Sequence, residues 1–263
     1  MIYPHQQKAI DYITNKFQSD NSVQALLLSG SIPHGFNGEN SDIDLMIIVP
    51  NEVYEQRKAD HDLTYFERAD NFYIGCYFDG KYITIDYLSL VAERGSEPTR
   101  FALSDAHILF DKTGQAADYI KRISEYNTAN IQENAIRFLA QFEAWKWYCK
   151  EALAKNNQYL LDTSVSKLIL FAGRLILLEN RRFFPYHKWL LKVLEHCDNK
   201  PTDLMPAIQR LLANKTPENI EYLYMLVKNH KDWTGGAEYS WTSYFVNDID
   251  TVWMRQDEFI ENL

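Results

Sequence analysis

Short apolar runs separated by polar turns fill the first part of the chain. The repeat of apolar positions every three or four residues near the start predicts an amphipathic helix, and the apolar runs that follow predict β-strands. The expected elements, in chain order, are a helix at 4–17, strands at 26–28 and 42–49, a short helix ending near 59, and a strand at 106–110. A hairpin is also predicted within residues 72–90.

From about residue 115 the apolar positions follow the 3.6-residue period of α-helices. Helices are predicted near 116–125, 130–155, 160–181, 187–197, 203–213 and 217–230. No internal repeat or low-complexity linker separates the two parts. The chain is therefore predicted to hold an α/β (α+β) domain with a mixed β-sheet over residues 1–114, followed by a helical-bundle domain over residues 115–263.

A glycine and a serine end the first apolar run. Gly30 and Ser31 leave the backbone open to a bulky anion, so phosphate oxygens could lie against their N–H groups. A turn-rich loop follows through Ser41, and the chain then re-enters a strand. Because side chains alternate along a strand, Asp42 and Asp44 lie on one face at its start.

Two carboxylates that point the same way repel each other unless a cation lies between them. Hard oxygen ligands beside a phosphate-binding loop suit Mg²⁺. A third carboxylate is predicted on a strand over residues 82–87, where Thr84 and Asp86 share one face. If this strand lies beside the one that starts at Asp42, three carboxylates converge. Asp79 is interpreted as a residue of the Asp-Gly turn of the predicted hairpin.

The Gly-Ser pair, the loop, the Asp-x-Asp pair and the later aspartate resemble the signature of the DNA polymerase β-type nucleotidyltransferase superfamily. The resemblance implies transfer of a nucleoside monophosphate from an NTP, with two Mg²⁺ ions and with ATP as the expected nucleotide. By this resemblance, Asp42 and Asp44 bind both ions. Asp86 completes the coordination of the ion that activates the acceptor hydroxyl. Gly30, Ser31 and Ser41 then belong to the nucleotide-binding loop.

The order of a catalytic domain and then helices also resembles aminoglycoside and related small-molecule nucleotidyltransferases, whose helices cover the cleft. A glutamate of the helical domain serves as general base in some of these relatives. The resemblance therefore makes Glu143 a candidate base toward the acceptor hydroxyl. The alternative is that Glu143 is a surface residue of an amphipathic helix.

Many relatives carry Arg or Lys directly after Gly-Ser, where this chain has Ile-Pro-His at 32–34. Support for the triphosphate must then come from elsewhere, and Lys167 and Lys188 are candidates. Lys167 shares a helix face with Arg174, for which Glu179 is an alternative anionic partner. Lys188 begins a predicted helix, where a cation could meet phosphate, although it could equally be solvated beside packed aromatic rings.

The net charge of −9 and the pI near 5.3 disfavour long nucleic acid as a partner, because such binding depends on Lys and Arg. The acidity favours a small acceptor, and a cationic one would suit the acidic surface. Cys76, Cys149 and Cys197 are widely spaced, which predicts buried thiols instead of disulfides or a zinc site. No apolar run approaches a membrane span and no signal-peptide pattern opens the chain, so a cytoplasmic location is predicted.

The leading functional hypothesis is transfer of a nucleoside monophosphate, AMP above others, to a hydroxyl of a small molecule such as an aminoglycoside-like antibiotic. One alternative is nucleotidylation of a protein or of a tRNA end. Another is a nucleotide-binding module without turnover, which the complete set of aspartates argues against. Exposed apolar helical surface is compatible with a homodimer.

Overall fold

A computed structural model describes residues 1–255 and 260 of the chain. Two compact units are present, Met1–Glu125 and Tyr126–Leu263. The last residues of the predicted second domain, 256–259 and 261–263, lie outside the described residues. None of the helices that are described is both long and apolar enough to cross a membrane.

The first unit combines five strands with five helices in the part of the chain that the structure describes. In chain order they are α1 (Pro4–Gln18), β1 (Ala25–Ser29), β2 (Ile43–Ile48), α2 (Asn51–Ala59), β3 (Thr64–Arg68), β4 (Tyr77–Ile83), α3 (Ile85–Arg94), α4 (Glu97–Ser104), β5 (His107–Asp111) and α5 (Ala116–Ser124). The predicted boundary at 114 precedes α5, whereas the compact unit includes this helix because α5 packs on α3 and α4.

The strands form one sheet in the order β3-β4-β2-β1-β5. β2 and β4 run parallel, and every other neighbouring pair is antiparallel. The prediction of an α/β domain with a mixed sheet is confirmed. Strand β1 shows how the sheet divides the core: Leu26 and Leu28 face a cluster that includes α1, and Ala25 and Leu27 face a second cluster that includes α3 and α5.

The predicted turn at Asp79-Gly80 is wrong, because both residues lie inside β4. A Cβ atom on Gly80 would lie 3.0 Å from Cδ1 of Ile47 and 3.2 Å from Cβ of Tyr65. The glycine therefore serves close packing between neighbouring strands instead of a turn. The hairpin of this region is formed by β3 and β4, and β3 was not predicted from the sequence.

The predicted strand over 82–87 is also wrong, because β4 ends at Ile83 and α3 begins at Ile85. Thr84 caps this helix, and its Oγ1 accepts a hydrogen bond from the backbone N–H of Tyr87 at 3.1 Å. Leu88 and Val91 lie one turn apart and bury the inner face of α3. Helix α4 was likewise not predicted from the sequence.

The second unit is helical throughout its described part. Its elements are α6 (Ile131–Ala154), α7 (Gln158–Glu179), α8 (Tyr186–Glu195), α9 (Leu204–Ala213), α10 (Pro217–Lys228) and α11 (Trp241–Phe245), followed by a π-helical turn at Val246–Asp250 and a 3-10 turn at Val252–Met254. The predicted helical domain is thus confirmed. All three cysteines are buried free thiols, as predicted.

Candidate functional site

The turn that follows β1 is shaped around an aspartate of the next strand. Gly30 has a positive φ of 70°, a conformation that glycine adopts readily. A Cβ atom at this position would lie 1.8 Å from Oδ2 of Asp44. Any side chain at residue 30 would therefore occupy the position of the Asp44 carboxylate, so this carboxylate and the backbone of the turn form one surface.

The hydroxyl of Ser31 is buried beside this turn. The residue is 7% exposed, and its Oγ atom has no hydrogen-bond partner. A buried hydroxyl without a partner costs about 1–3 kcal/mol. A ligand oxygen that accepted a hydrogen bond from Ser31 would recover this energy, so the hydroxyl indicates a polar ligand at the turn.

Hydrogen bonds from three directions hold the loop between the turn and β2. The buried Gln6 of α1 donates from Nε2 to the carbonyl oxygen of Gly38 at 2.8 Å. The N–H of Gly38 donates to Oγ of Ser41 at 2.9 Å, and the hydroxyl of Tyr73 donates to the carbonyl oxygen of Ser41 at 2.7 Å. The Ser41 hydroxyl thus stabilises the loop, and its assignment to nucleotide binding stays a prediction.

Three aspartates lie on one face of the sheet beside the turn. Asp44 and Asp79 are register partners on the parallel strands β2 and β4, whose backbones run about 4.8 Å apart. Asp42 precedes Asp44 by two positions and shares its face. Its Oδ2 atom accepts a hydrogen bond from the hydroxyl of Tyr77 at 2.8 Å, and this bond raises the pKa of Tyr77 to about 12.

The structure does not bring Asp86 to this group. Asp86 lies in the first turn of α3, where its Oδ2 accepts a hydrogen bond from Nδ2 of Asn51 at 2.7 Å. The N–H of Val49 bonds to the carbonyl oxygen of Ile83, so α3 starts at the far end of β2. The strand from Asp44 to Val49 spans about 16 Å. An acidic residue in the first turn of a helix is favoured by the helix dipole, which explains Asp86 structurally.

Asp79 occupies the position that the sequence prediction gave to Asp86. The alternation of Tyr77, Asp79 and Lys81 with the buried Phe78 and Tyr82 is the signal that could have located it. The Asp-Gly dipeptide conceals this alternation because it is also a strong hairpin-turn signal.

The donor set of the site fits magnesium. Across residues 1–255 and 260, no group of three or more His, Cys, Asp or Glu side chains is arranged to hold a metal ion by itself. Magnesium, however, is usually held by one or two carboxylates together with substrate phosphates and water. Asp44 and Asp79 on adjacent strands, with Asp42 on the same face, supply oxygen donors of this kind beside the Gly30 turn.

The histidine that follows the Gly-Ser pair has a packing role. Nδ1 of His34 lies 2.8 Å from Oδ2 of Asp105, and its ring stacks on that of Phe101 with the centroids 4.2 Å apart. The His34 side chain is only 4% exposed. These contacts fix the start of the loop on α4, so His34 does not replace the basic residue that many similar enzymes carry here.

The remaining predicted site residues belong to the second unit. Oε1 of Glu143 accepts hydrogen bonds from Nζ of Lys228 at 2.6 Å and from the hydroxyl of Tyr224 at 3.2 Å. Lys167 is half-buried on α7, and Lys188 is exposed on α8. The base assignment of Glu143 and the triphosphate assignments of both lysines stay predictions.

Arg174, which shares a helix face with Lys167, is a core residue of the second unit. It is 1% exposed. Its guanidinium carbon lies 4.5 Å from the ring centroid of Phe138 and 4.8 Å from that of Phe184. Cation–π contacts of this kind stabilise a guanidinium among aromatic side chains.

The mixed sheet, the Gly-Ser turn and the Asp-x-Asp strand define a nucleotidyltransferase domain of the DNA polymerase β type. Residues 10–95 match the nucleotidyltransferase domain family. The first unit therefore carries a nucleotidyltransferase domain, which supports nucleotidyl transfer as the general reaction class. Residues 96–190 match a domain of unknown function, DUF4037, which begins in the first unit and extends into the helical one.

One solved structure similar to the chain is a nucleotidyltransferase-like protein from Exiguobacterium sibiricum 255-15. The two sequences are 13% identical, the match covers 95% of this chain and 81% of that chain, and the TM-score is 0.48. No curated protein sequence shows significant similarity to the chain.

Proposed function

We propose that this protein is a Mg²⁺-dependent enzyme that transfers a nucleoside monophosphate from an NTP to a hydroxyl of a small molecule. The proposed nucleotide is ATP, so the group transferred is AMP. One observation carries the proposal: Asp44 lies against the Gly30 turn and is the register partner of Asp79 on the parallel strand. A phosphate-binding turn and paired carboxylates on one sheet face are what transfer at the α-phosphorus of an NTP requires.

The turn supplies the phosphate side of the site. Gly30 lets a phosphate group come close to the backbone. The buried hydroxyl of Ser31 can donate a hydrogen bond to a phosphate oxygen. The N–H of Phe36 donates to the carbonyl oxygen of Ser31 at 2.9 Å, and the hydrogen bonds at Gly38 and Ser41 hold the rest of the loop, so the turn is ordered before nucleotide binds. Binding energy is then not spent on ordering the loop.

The aspartates supply the metal side. Asp42, Asp44 and Asp79 would hold two Mg²⁺ ions, with Asp79 in the role that the sequence prediction gave to Asp86. When bound, the ions neutralise triphosphate charge and lower the pKa of the attacking hydroxyl. The hydrogen bond from Tyr77 leaves Oδ1 of Asp42 for a ligand and fixes the orientation of the carboxylate.

The proposed acceptor is a small hydroxylated molecule, and aminoglycosides are the first group to assay. The net charge of −9 supports a small acceptor over a long nucleic acid. Glu143 remains the candidate base of the helical unit, and Lys167 and Lys188 remain candidates for support of the triphosphate. The aspartates present argue against a binding module without turnover.

Calorimetric titration of ATP and of GTP with Mg²⁺ tests the nucleotide part of the proposal. Wild type, Asp44→Asn and Asp42→Asn are compared, with Asp86→Asn as the matched control because that carboxylate lies in α3. Metal-dependent binding that is lost in the first two variants and kept in the control supports the proposal. Absence of NTP binding to wild type contradicts it.

Mass spectrometry of an acceptor panel that contains aminoglycosides then tests transfer. An acceptor that gains the mass of a nucleoside monophosphate with wild type, and not with Asp44→Asn, identifies the reaction. Wild-type turnover in Asp44→Asn would overturn the assignment of the metal site.

A further inference from the structure

The edge strand β3 presents an aromatic side chain beside the aspartates. Phe66 is 64% exposed, although it lies in the middle of its strand. Its register partner on β4 is Asp79, so both side chains stand on the same face of the sheet. Because most of its side chain is exposed, Phe66 contributes little to the packing of the first unit.

Phe66 and Tyr77 form a continuous surface that leads to Asp42. The two ring centroids lie 5.5 Å apart with an interplanar angle of 36°. The hydroxyl of Tyr77 donates to Oδ2 of Asp42 at 2.8 Å. We call the pair formed by Phe66 and Tyr77 the aromatic platform. A ring bound on this platform would lie directly beside the three aspartates.

The order of the strands decides which reactant meets the platform. Along the sheet, the Gly30 turn belongs to β1, Asp44 to β2, Asp79 to β4 and Phe66 to β3. The attacking and leaving oxygens of phosphoryl transfer lie roughly in line through phosphorus. With the departing pyrophosphate at the β1 turn, the attacking hydroxyl approaches from the side of β4 and β3, so the body of the acceptor lies over the platform.

The charges around the platform select among acceptors. Arg68 pairs in register with Tyr77, and Lys81 pairs with Thr64, so both cations stand on the same face as Phe66. Both side chains belong to exposed residues. They attract an anionic group that lies over the β3 edge of the platform. The three aspartates carry the opposite charge on the other side of the platform, so its cationic part is confined to the β3 edge.

We infer that the aromatic platform binds the acceptor of the proposed reaction, and that this acceptor is a neutral or anionic hydroxylated compound with a flat ring. The inference rests on the proposed function and narrows its acceptor class. Aminoglycosides, which are polycations without a flat ring, fall outside the narrowed class and become the comparison group of the acceptor panel. Flat rings stack on exposed aromatic side chains with little dependence on their substituents. Arg68 adds selectivity for an acidic group near the ring.

Binding of two probes tests the inference without any turnover. Phenyl β-D-glucoside is neutral, phenyl β-D-glucuronide carries a carboxylate, and both combine a flat ring with hydroxyl groups. Their dissociation constants are measured by ligand-observed NMR for wild type, Phe66→Ala and Arg68→Gln. Tyr159→Ala is the matched control, because Tyr159 is an aromatic residue of the second unit that is 82% exposed.

Loss of the stacking surface in Phe66→Ala is expected to weaken both probes about tenfold. Arg68→Gln is expected to weaken the glucuronide about threefold more than the glucoside. Tyr159→Ala is expected to leave both dissociation constants unchanged. Failure of wild type to bind either probe, or equal binding by Phe66→Ala and wild type, overturns the inference, as does self-association of the protein that Phe66→Ala abolishes.

Titration of Mg²⁺ and ATP into the same variants separates this inference from the proposed function. Nucleotide binding is expected to be unchanged in Phe66→Ala, which also shows that the variant is folded. Probe binding without nucleotide binding would leave the platform standing and would contradict the proposed function. Nucleotide binding without probe binding would overturn the platform alone.

Discussion

The carboxylate of Asp44 fills the space beside Gly30 that a side chain at residue 30 would need. The Cβ atom that Gly30 lacks would lie 1.8 Å from Oδ2 of Asp44. This relationship joins the two halves of the motif, since the residue that ends β1 determines where the carboxylate of β2 can lie. A substitution at the glycine therefore acts on the aspartate as well as on the turn.

Gly30→Ala is expected to abolish Mg²⁺-dependent ATP binding and to lower the free energy of unfolding. Gly35→Ala is the matched control, because Gly35 has the same φ of 70° and its Cβ would meet nothing within 4 Å. The control should lose about 1 kcal/mol from backbone strain alone. Urea unfolding and calorimetry measure both effects. Equal losses in the two variants, with ATP binding kept, would show that the contact with Asp44 is unimportant.

Asp79→Asn is expected to lower the rate of nucleotidyl transfer by at least about a hundredfold, because a carboxylate that would hold a metal ion becomes neutral. Asp86→Asn is expected to retain the wild-type rate, because its side chain bonds to Asn51 at the start of α3. Steady-state kinetics with an acceptor found by mass spectrometry decide between the two aspartates. The reverse ranking would restore Asp86 to the site.

Tyr77→Phe is expected to lower the free energy of unfolding by about 0.5–1.5 kcal/mol at neutral pH, through loss of the hydrogen bond to Asp42. The same bond raises the pKa of Tyr77 to about 12, above the ordinary value of 10.0. The raised pKa means that the neutral phenol is stabilised by folding. Its contribution is complete below pH 10 and is lost as the pH rises through about 12.

Urea unfolding of wild type and of Tyr77→Phe between pH 8 and pH 12.5 measures this difference. The gap between the two proteins should close over the upper part of that range, and subtraction removes the titration of the other tyrosines. A gap that stays constant with pH would show that the phenol of Tyr77 does not titrate against Asp42.

Glu143→Gln is expected to destabilise the second unit by about 1 kcal/mol, because its carboxylate pairs with the partly exposed ammonium of Lys228. Burial lowers the pKa of Lys228, but hydrogen bonds to Glu143 and Tyr224 outweigh it, so the net shift is upward. Lys228→Met removes the same ion pair from the other side. If Glu143 acts as the base, Glu143→Gln alone lowers kcat. Equal kcat values in the two variants would restrict Glu143 to a structural role.

The sequence was sufficient for the parts of the site that lie close together along the chain. Gly30, Ser31, Asp42 and Asp44 fall on one strand end, one turn and one strand start, which apolar runs and turn residues delimit. Their common face follows from strand alternation alone. Helices α6 to α10 were predicted to within a few residues for the same reason, since a 3.6-residue period is a local signal, whereas the short helix α11 was not predicted.

The third aspartate was missed because the Asp-Gly turn signal concealed the alternation along β4, and the contacts that place this aspartate join distant segments. Gly80 serves close packing against Ile47 and Tyr65, and nothing local distinguishes such a glycine from one in a turn. The pairing of Asp44 with Asp79 needs the parallel register of β2 and β4. Glu143 and Lys228 are separated by 85 residues, so their ion pair is equally invisible in the sequence.

Gln6 bears on how the amino-terminal end of the protein should be handled in experiments. Its buried side chain connects the first turn of α1 to the carbonyl oxygen of Gly38, within the loop that leads to the aspartates. Removal of the first few residues would therefore alter nucleotide affinity while most of the sheet stayed intact.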